Sequence, residues 1–255
     1  MKGIWDRGVW QKVLGTFTRG ADLRTVTLKS LALAICSTIA ALPYFHYLIF
    51  VATKEGGGRL PDGVNSWELL VTQLFFVLVL SLLSALVGLS FSTKLGLPGL
   101  GSMKDLREDM PVLLCLGAVM TFASYYLFDR YFFEVSPLSY PEGALYLISM
   151  PFKGAFTEEI ILRLCLVTLC VGILKRKGAG MVLASTVASL FTIKYFQFMG
   201  IEWGLNYLFM TQILLAFLAH LILGYLFVTR GLFYAMALKF FLGIKYGIVS
   251  WTLRM

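Results

Sequence analysis

Charge is scarce in this sequence: 14% of its 255 residues are Asp, Glu, Lys or Arg, where a soluble domain has about one quarter. Apolar residues reach 58%, and the mean hydropathy is +0.80. A soluble fold could not hide that excess and is excluded. Cysteine is also sparse. Cys36, Cys115, Cys165 and Cys170 all fall inside apolar runs, with no CxxC pair and no spaced framework. A secreted disulfide scaffold is therefore excluded, and buried free thiols are expected. Histidine occurs at two positions, His46 and His220.

What the chain does have is length without charge. Runs of more than about eighteen nearly uncharged residues recur, each long enough to cross a hydrocarbon core of about 30 Å as a helix, which satisfies its own backbone there. The formal charge of +8 is carried by basic residues clustered near helix ends and at the N-terminus. That distribution fits membrane orientation and not nucleic-acid binding.

The predicted fold is all-α, a polytopic transmembrane helix bundle of about seven spans over residues 26–52, 67–93, 111–128, 143–174, 179–199, 205–229 and 231–252. Loop signals separate them: Gly56, Gly57, Gly58 and Pro61 open the first, Leu97-Pro98-Gly99 the second, Pro137 with Pro141 the third,. The fourth span exceeds the bilayer thickness, so either Pro151 kinks it or its start lies outside. Residues 1–25 carry Trp5, Val9, Trp10, Val13, Leu14 and Phe17 at helical spacing among Lys2, Arg7, Lys12 and Arg19. That is an interfacial amphipathic helix with affinity for anionic lipid. Residues 26–255 form one membrane domain, with no internal repeat.

Thirteen Lys and Arg fall on one side of this arrangement: Lys2, Arg7, Lys12, Arg19, Arg24, Lys29, Lys94, Lys104, Arg107, Lys175, Arg176, Lys177 and Arg230. Four fall on the other: Lys54, Arg59, Arg130 and Arg254. Seven alternating spans then place the N-terminus in the cytoplasm and the C-terminus outside, in a multi-pass cell-membrane protein.

Five basic residues remain inside the spans, Lys153, Arg163, Lys194, Lys239 and Lys245, with two acids, Glu158 and Glu159. Intramembrane charge is costly and marks function. Glu159 and Arg163 are four residues apart on one helix face, where they can form an ion pair. Glu158 points about 100° away, with no basic residue three or four positions onward, and is free to face a cavity as a general base or acid.

The run Glu158-Glu159-x-x-x-Arg163 resembles the first motif of the CAAX prenyl-protease and bacteriocin-processing family (CPBP, also Abi) of intramembrane peptidases. The resemblance covers about residues 141–245. It implies a core in which the first glutamate, helped by histidines on later helices, activates water against a peptide carbonyl. Leu223 to Leu232 is similar to the family's glycine-bearing helix and turn. Counting on from there places the last motif's histidine at Lys239 and its asparagine at Gly243. Phe191 directs the second motif's histidine to Tyr195, or to Lys194 after a slip of one residue. The glutamates and the arginine are present and the motif histidines are not. A pseudoenzyme is implied, a membrane scaffold that binds a partner protein. The alternative is an active hydrolase, an intramembrane protease using Glu158 as base on a peptide substrate. No cofactor is expected, since zinc is possible only if the site is intact.

Depth measured at about 1.5 Å per residue puts Glu158 about 26 Å and Lys194 about 24 Å from the cytoplasmic anchors. Lys194 therefore either pairs with Glu158 or snorkels to the outer interface. Lys239, about 12 Å from Gly231, is within snorkelling reach of the inner one. Lys153 and Lys245 read as interfacial or cavity-lining. His220 is either a relocated catalytic residue or a hydrogen-bonded packing residue, and His46 reads as a packing or near-interface residue. A small-molecule or ion carrier is disfavoured because no inverted repeat with broken helices is seen.

Overall fold

The protein is described by a computed structural model over residues 23–52, 65–198 and 207–254, without the side chains of Leu138 and residues 192–198. Among these residues seven long helices run in order: α1 (Leu23–Ala52), α2 (Ser66–Ser92), α3 (Met103–Val135), α4 (144–174), α5 (Lys177–Phe198), α6 (Tyr207–Arg230) and α7 (Leu232–Leu253). There is no strand among the described residues. Five of the seven, α1, α2, α3, α6 and α7, are long and apolar enough to cross a membrane. Their large side chains face outward in number, as at Phe75, Val119 and Trp251, the pattern expected when lipid is the solvent. The chain is an all-α, multi-pass membrane protein in a lipid-bilayer environment.

Small residues set the packing. In α2, a Cβ on Gly88 would come within 2.1 Å of the Leu164 carbonyl oxygen on α4, so a glycine is what lets those helices touch. α4 runs through the centre, with Ile160, Leu164 and Val167 fully buried. Around it, α1 lies along α2, α3 along α7, and α5 along α6. The turn after α2 crosses to the start of α7. There Gly99 and Gly101 adopt positive φ, and the Leu232 and Phe233 N–H groups donate to the Gly99 and Leu100 carbonyls at 2.9 and 3.0 Å. Two N–H groups without intrahelical acceptors at the head of α7 are thereby satisfied.

The third span differs most from its predicted bounds of 111–128. It starts eight residues earlier, because Ser102 Oγ accepts the Asp105 N–H at 3.2 Å and caps a first turn that Pro111 does not interrupt,. It ends seven residues later, running through Asp129, whose charge is compensated inside the bundle. The amphipathic helix expected over 1–25 lies outside the described residues apart from its last three. The glycine-rich first loop also lies outside them.

Candidate intramembrane site

The middle of α4 is wound wider than an α-helix, with a π-helical turn over Gly154–Glu158 and another stretch over Ile160–Val167. In an α-helix, residues five apart point about 140° away from one another, whereas an i→i+5 turn brings them much closer to one face. Lys153 and Glu158 are five apart, and Lys153 Nζ donates to Glu158 Oε1 at 2.7 Å. Lys239 Nζ arrives from α7 and reaches the other oxygen, Oε2, at 2.8 Å. Gly154 makes room for it: a Cβ there would stand 3.2 Å from Lys239 Cε.

Glu159 has a different partner. It is fully buried, and Arg163 Nε, also fully buried, donates to its Oε2 at 3.1 Å. Arg163 Nη2 lies 2.6 Å from His220 Nδ1 on α6. A guanidinium has donors only, so Nδ1 is the acceptor and the imidazole carries its proton on Nε2. Glu159 Oε1 and Arg163 Nη1 have no hydrogen-bond partner among the described residues.

Glu158 and His220 both line a cavity of about 500 Å³ walled by α1, α3, α4, α6 and α7. Glu158 keeps 32% of its side chain exposed there, whereas Glu159 and Arg163 keep none. One carboxylate of the adjacent pair is therefore reachable from the cavity, and the other belongs to the frame.

A second ion cluster lines the same cavity. Asp129 is fully buried and accepts from Ser124 Oγ at 2.6 Å, Tyr140 OH at 2.7 Å and Lys245 Nζ at 2.9 Å. Ser124 and Asp129 are again five residues apart, across a π-helical turn at Tyr125–Asp129. Sequence reasoning missed Asp129 by ending the third span one residue before it. The available signal was the aromatic run on both sides of it, Tyr125 to Phe128 and Tyr131 to Phe133.

Two expectations need correction, and the glycine at a third position is explained. Glu158 is not free of basic neighbours, because the wide turn brings Lys153 to it and α7 brings Lys239. Lys239 does not snorkel to the interface, because its stem runs past Gly154 to the carboxylate. Gly243 has no room for the asparagine that the motif register would place there: even a Cβ would lie 2.5 Å from Pro151 Cα. Lys194 and Tyr195 fall on α5, and their side chains lie outside the described residues. His46 accepts or donates a bond with Tyr146 OH at 3.0 Å and stacks on Phe50, as a packing residue does.

No family model, curated protein or solved structure matches this chain. The site must be read from its own chemistry. Both Glu158 oxygens face ammonium groups and His220 Nδ1 faces a guanidinium, so the donor set does not fit zinc. Among the described residues no group of three or more His, Cys, Asp or Glu side chains is placed to hold a metal ion.

Proposed function

We propose that this chain is a divergent relative of the CAAX prenyl-protease and bacteriocin-processing family that no longer hydrolyses peptides and acts as an intramembrane binding scaffold for a membrane partner. The observation that carries this reading is the engagement of both Glu158 oxygens by Lys153 and Lys239. A water-activating glutamate must accept a proton from water. Here two cations compete for the lone pairs, and an ammonium, unlike a neutral imidazole, has no lone pair with which to take or hold a proton,. It also supports the family reading that Lys239, the position expected to hold the final histidine, is the residue that meets Glu158.

In this reading the N-terminus is cytoplasmic and the C-terminus outside the cell membrane, following the excess of Lys and Arg on one side. Residues 1–25 supply contact with anionic lipid. The competing reading is an active endopeptidase using Glu158 with His220, favoured by the fact that both line one cavity. The test is hydrolysis of a fluorogenic peptide library by the purified full-length protein in nanodiscs at neutral pH. The scaffold reading expects no turnover. Cleavage abolished by Glu158→Gln or His220→Ala would establish the enzyme.

A further inference from the structure

The charges around the cavity do not balance, and the imbalance is local. Lys245 is matched by Asp129, and Arg163 by Glu159. Glu158 is one carboxylate holding two ammonium groups, Lys153 and Lys239. Four cations thus stand against three carboxylates among the described residues of these clusters. Excess charge inside a membrane protein is expensive unless something of opposite sign answers it.

We infer that the cavity binds an amphiphile with a single anionic headgroup, a carboxylate or phosphate on an apolar chain, with the headgroup set against Lys153 and Lys239. This deepens the binding role proposed above and rests on it. The polar end is built for the task. Lys153 and Lys239 keep 21% and 23% of their side chains open, so each ammonium retains donors beyond its bond to Glu158,. His220, its Nδ1 occupied by Arg163, has only an N–H donor left to offer,. The anion completes the neutralisation that Glu158 alone leaves half done.

The rest of the wall suits a hydrocarbon chain. Met120, Phe128, Phe132, Leu215, Ile222 and Leu242 line it, and a volume of about 500 Å³ lies within the usual range of about 300–1,000 Å³ for small-molecule sites,. Lys245 lies six residues beyond Lys239 on α7, about 9 Å along the axis, and is already committed to Asp129,. The surplus, and so the headgroup, belongs at the Glu158 end.

The experiment uses the full chain in phosphatidylcholine nanodiscs and measures binding of palmitate, hexadecyl phosphate, hexadecanol and acetate by native mass spectrometry with thermal shift. Palmitate, hexadecyl phosphate or both should bind at least about tenfold tighter than hexadecanol, and acetate should not bind. The better of the two anions identifies the headgroup. Lys153→Met, which leaves one lysine on one carboxylate, should remove the preference for anion over alcohol while the melting temperature stays near that of the parent. Lys239→Met is the second variant if the first does not fold. Equal affinity for the charged and neutral chains, no binding of either anion, or an anion preference unchanged in a folded lysine variant would overturn the inference. Peptide turnover assayed on the same nanodiscs reports separately on the scaffold reading, so the two can fail independently.

Discussion

Lys153 and Glu158 stand five residues apart on α4 and are joined at 2.7 Å, a contact that exists because the helix widens into a π-turn between them. The turn begins at Gly154, three residues after Pro151, which has no N–H to give to the preceding turn,. The same five-residue spacing joins Ser124 to Asp129 on α3. Both polar clusters of the cavity therefore depend on departures from α-helical winding.

The Arg163 guanidinium is the fully buried link between Glu159 and His220, so Arg163→Ala strands a charge in low dielectric. A loss of about 3–5 kcal/mol is expected, with Arg163→Lys losing less because it keeps the cation. Thermal melts in detergent decide this. If both variants melt like the parent, the pair is not structural.

Gly243→Ala should destabilise by about 1–3 kcal/mol, because the new Cβ would meet Pro151 backbone at 2.5 Å, which cannot swing aside as a side-chain tip can,. Gly243→Asn should cost at least as much and restore no peptidase activity. A Gly243→Asn protein that melts normally would show that α7 shifts freely against α4.

Lys194→His with Lys239→His, the change suggested by motif register, should leave the protein inert toward peptides while Lys153 still holds Glu158. Adding Lys153→Met is the step expected to open any cleavage, since only then is neither oxygen of Glu158 held by an ammonium. Release of peptide fragments from the double variant alone would show that Lys153 is no obstacle.

Asp129 and Lys245 should couple strongly. Lys245→Met leaves the fully buried Asp129 carboxylate, and Asp129→Asn the part-buried Lys245 ammonium, without its counter-charge, whereas the double change leaves neither,. A double-mutant cycle on stability should give an interaction of about 1–3 kcal/mol. Additive losses would mean that Asp129 is held by Ser124 and Tyr140 alone.

Much of the fold was legible because lipid demands long apolar helices, and the predicted start of α5, end of α6 and both ends of α7 lie within two residues of those observed,. The Glu159–Arg163 pair was legible too, since a spacing of four survives on the observed helix. The partners of Glu158 were not. Lys153 meets it through a π-turn that no simple periodicity announces, and Lys239 through the approach of α7 at Gly154 and Gly243, which is a matter of tertiary packing. Asp129 was hidden by the habit of ending a span at a charge, although the charge there is answered from α7, more than a hundred residues away.

The sharing of one carboxylate by two ammonium groups is tested most directly by comparing the melting of Glu158→Gln, Lys153→Met and Lys239→Met in the same detergent. If Glu158 holds both lysines, either lysine variant leaves a balanced pair and should lie within about 1 kcal/mol of the parent. Glu158→Gln leaves two cations facing each other across a part-open cavity and should lose about 2–4 kcal/mol, below the full cost for a sealed site. A Glu158→Gln protein as stable as the parent, or lysine variants that each lose as much as Glu158→Gln, would contradict it.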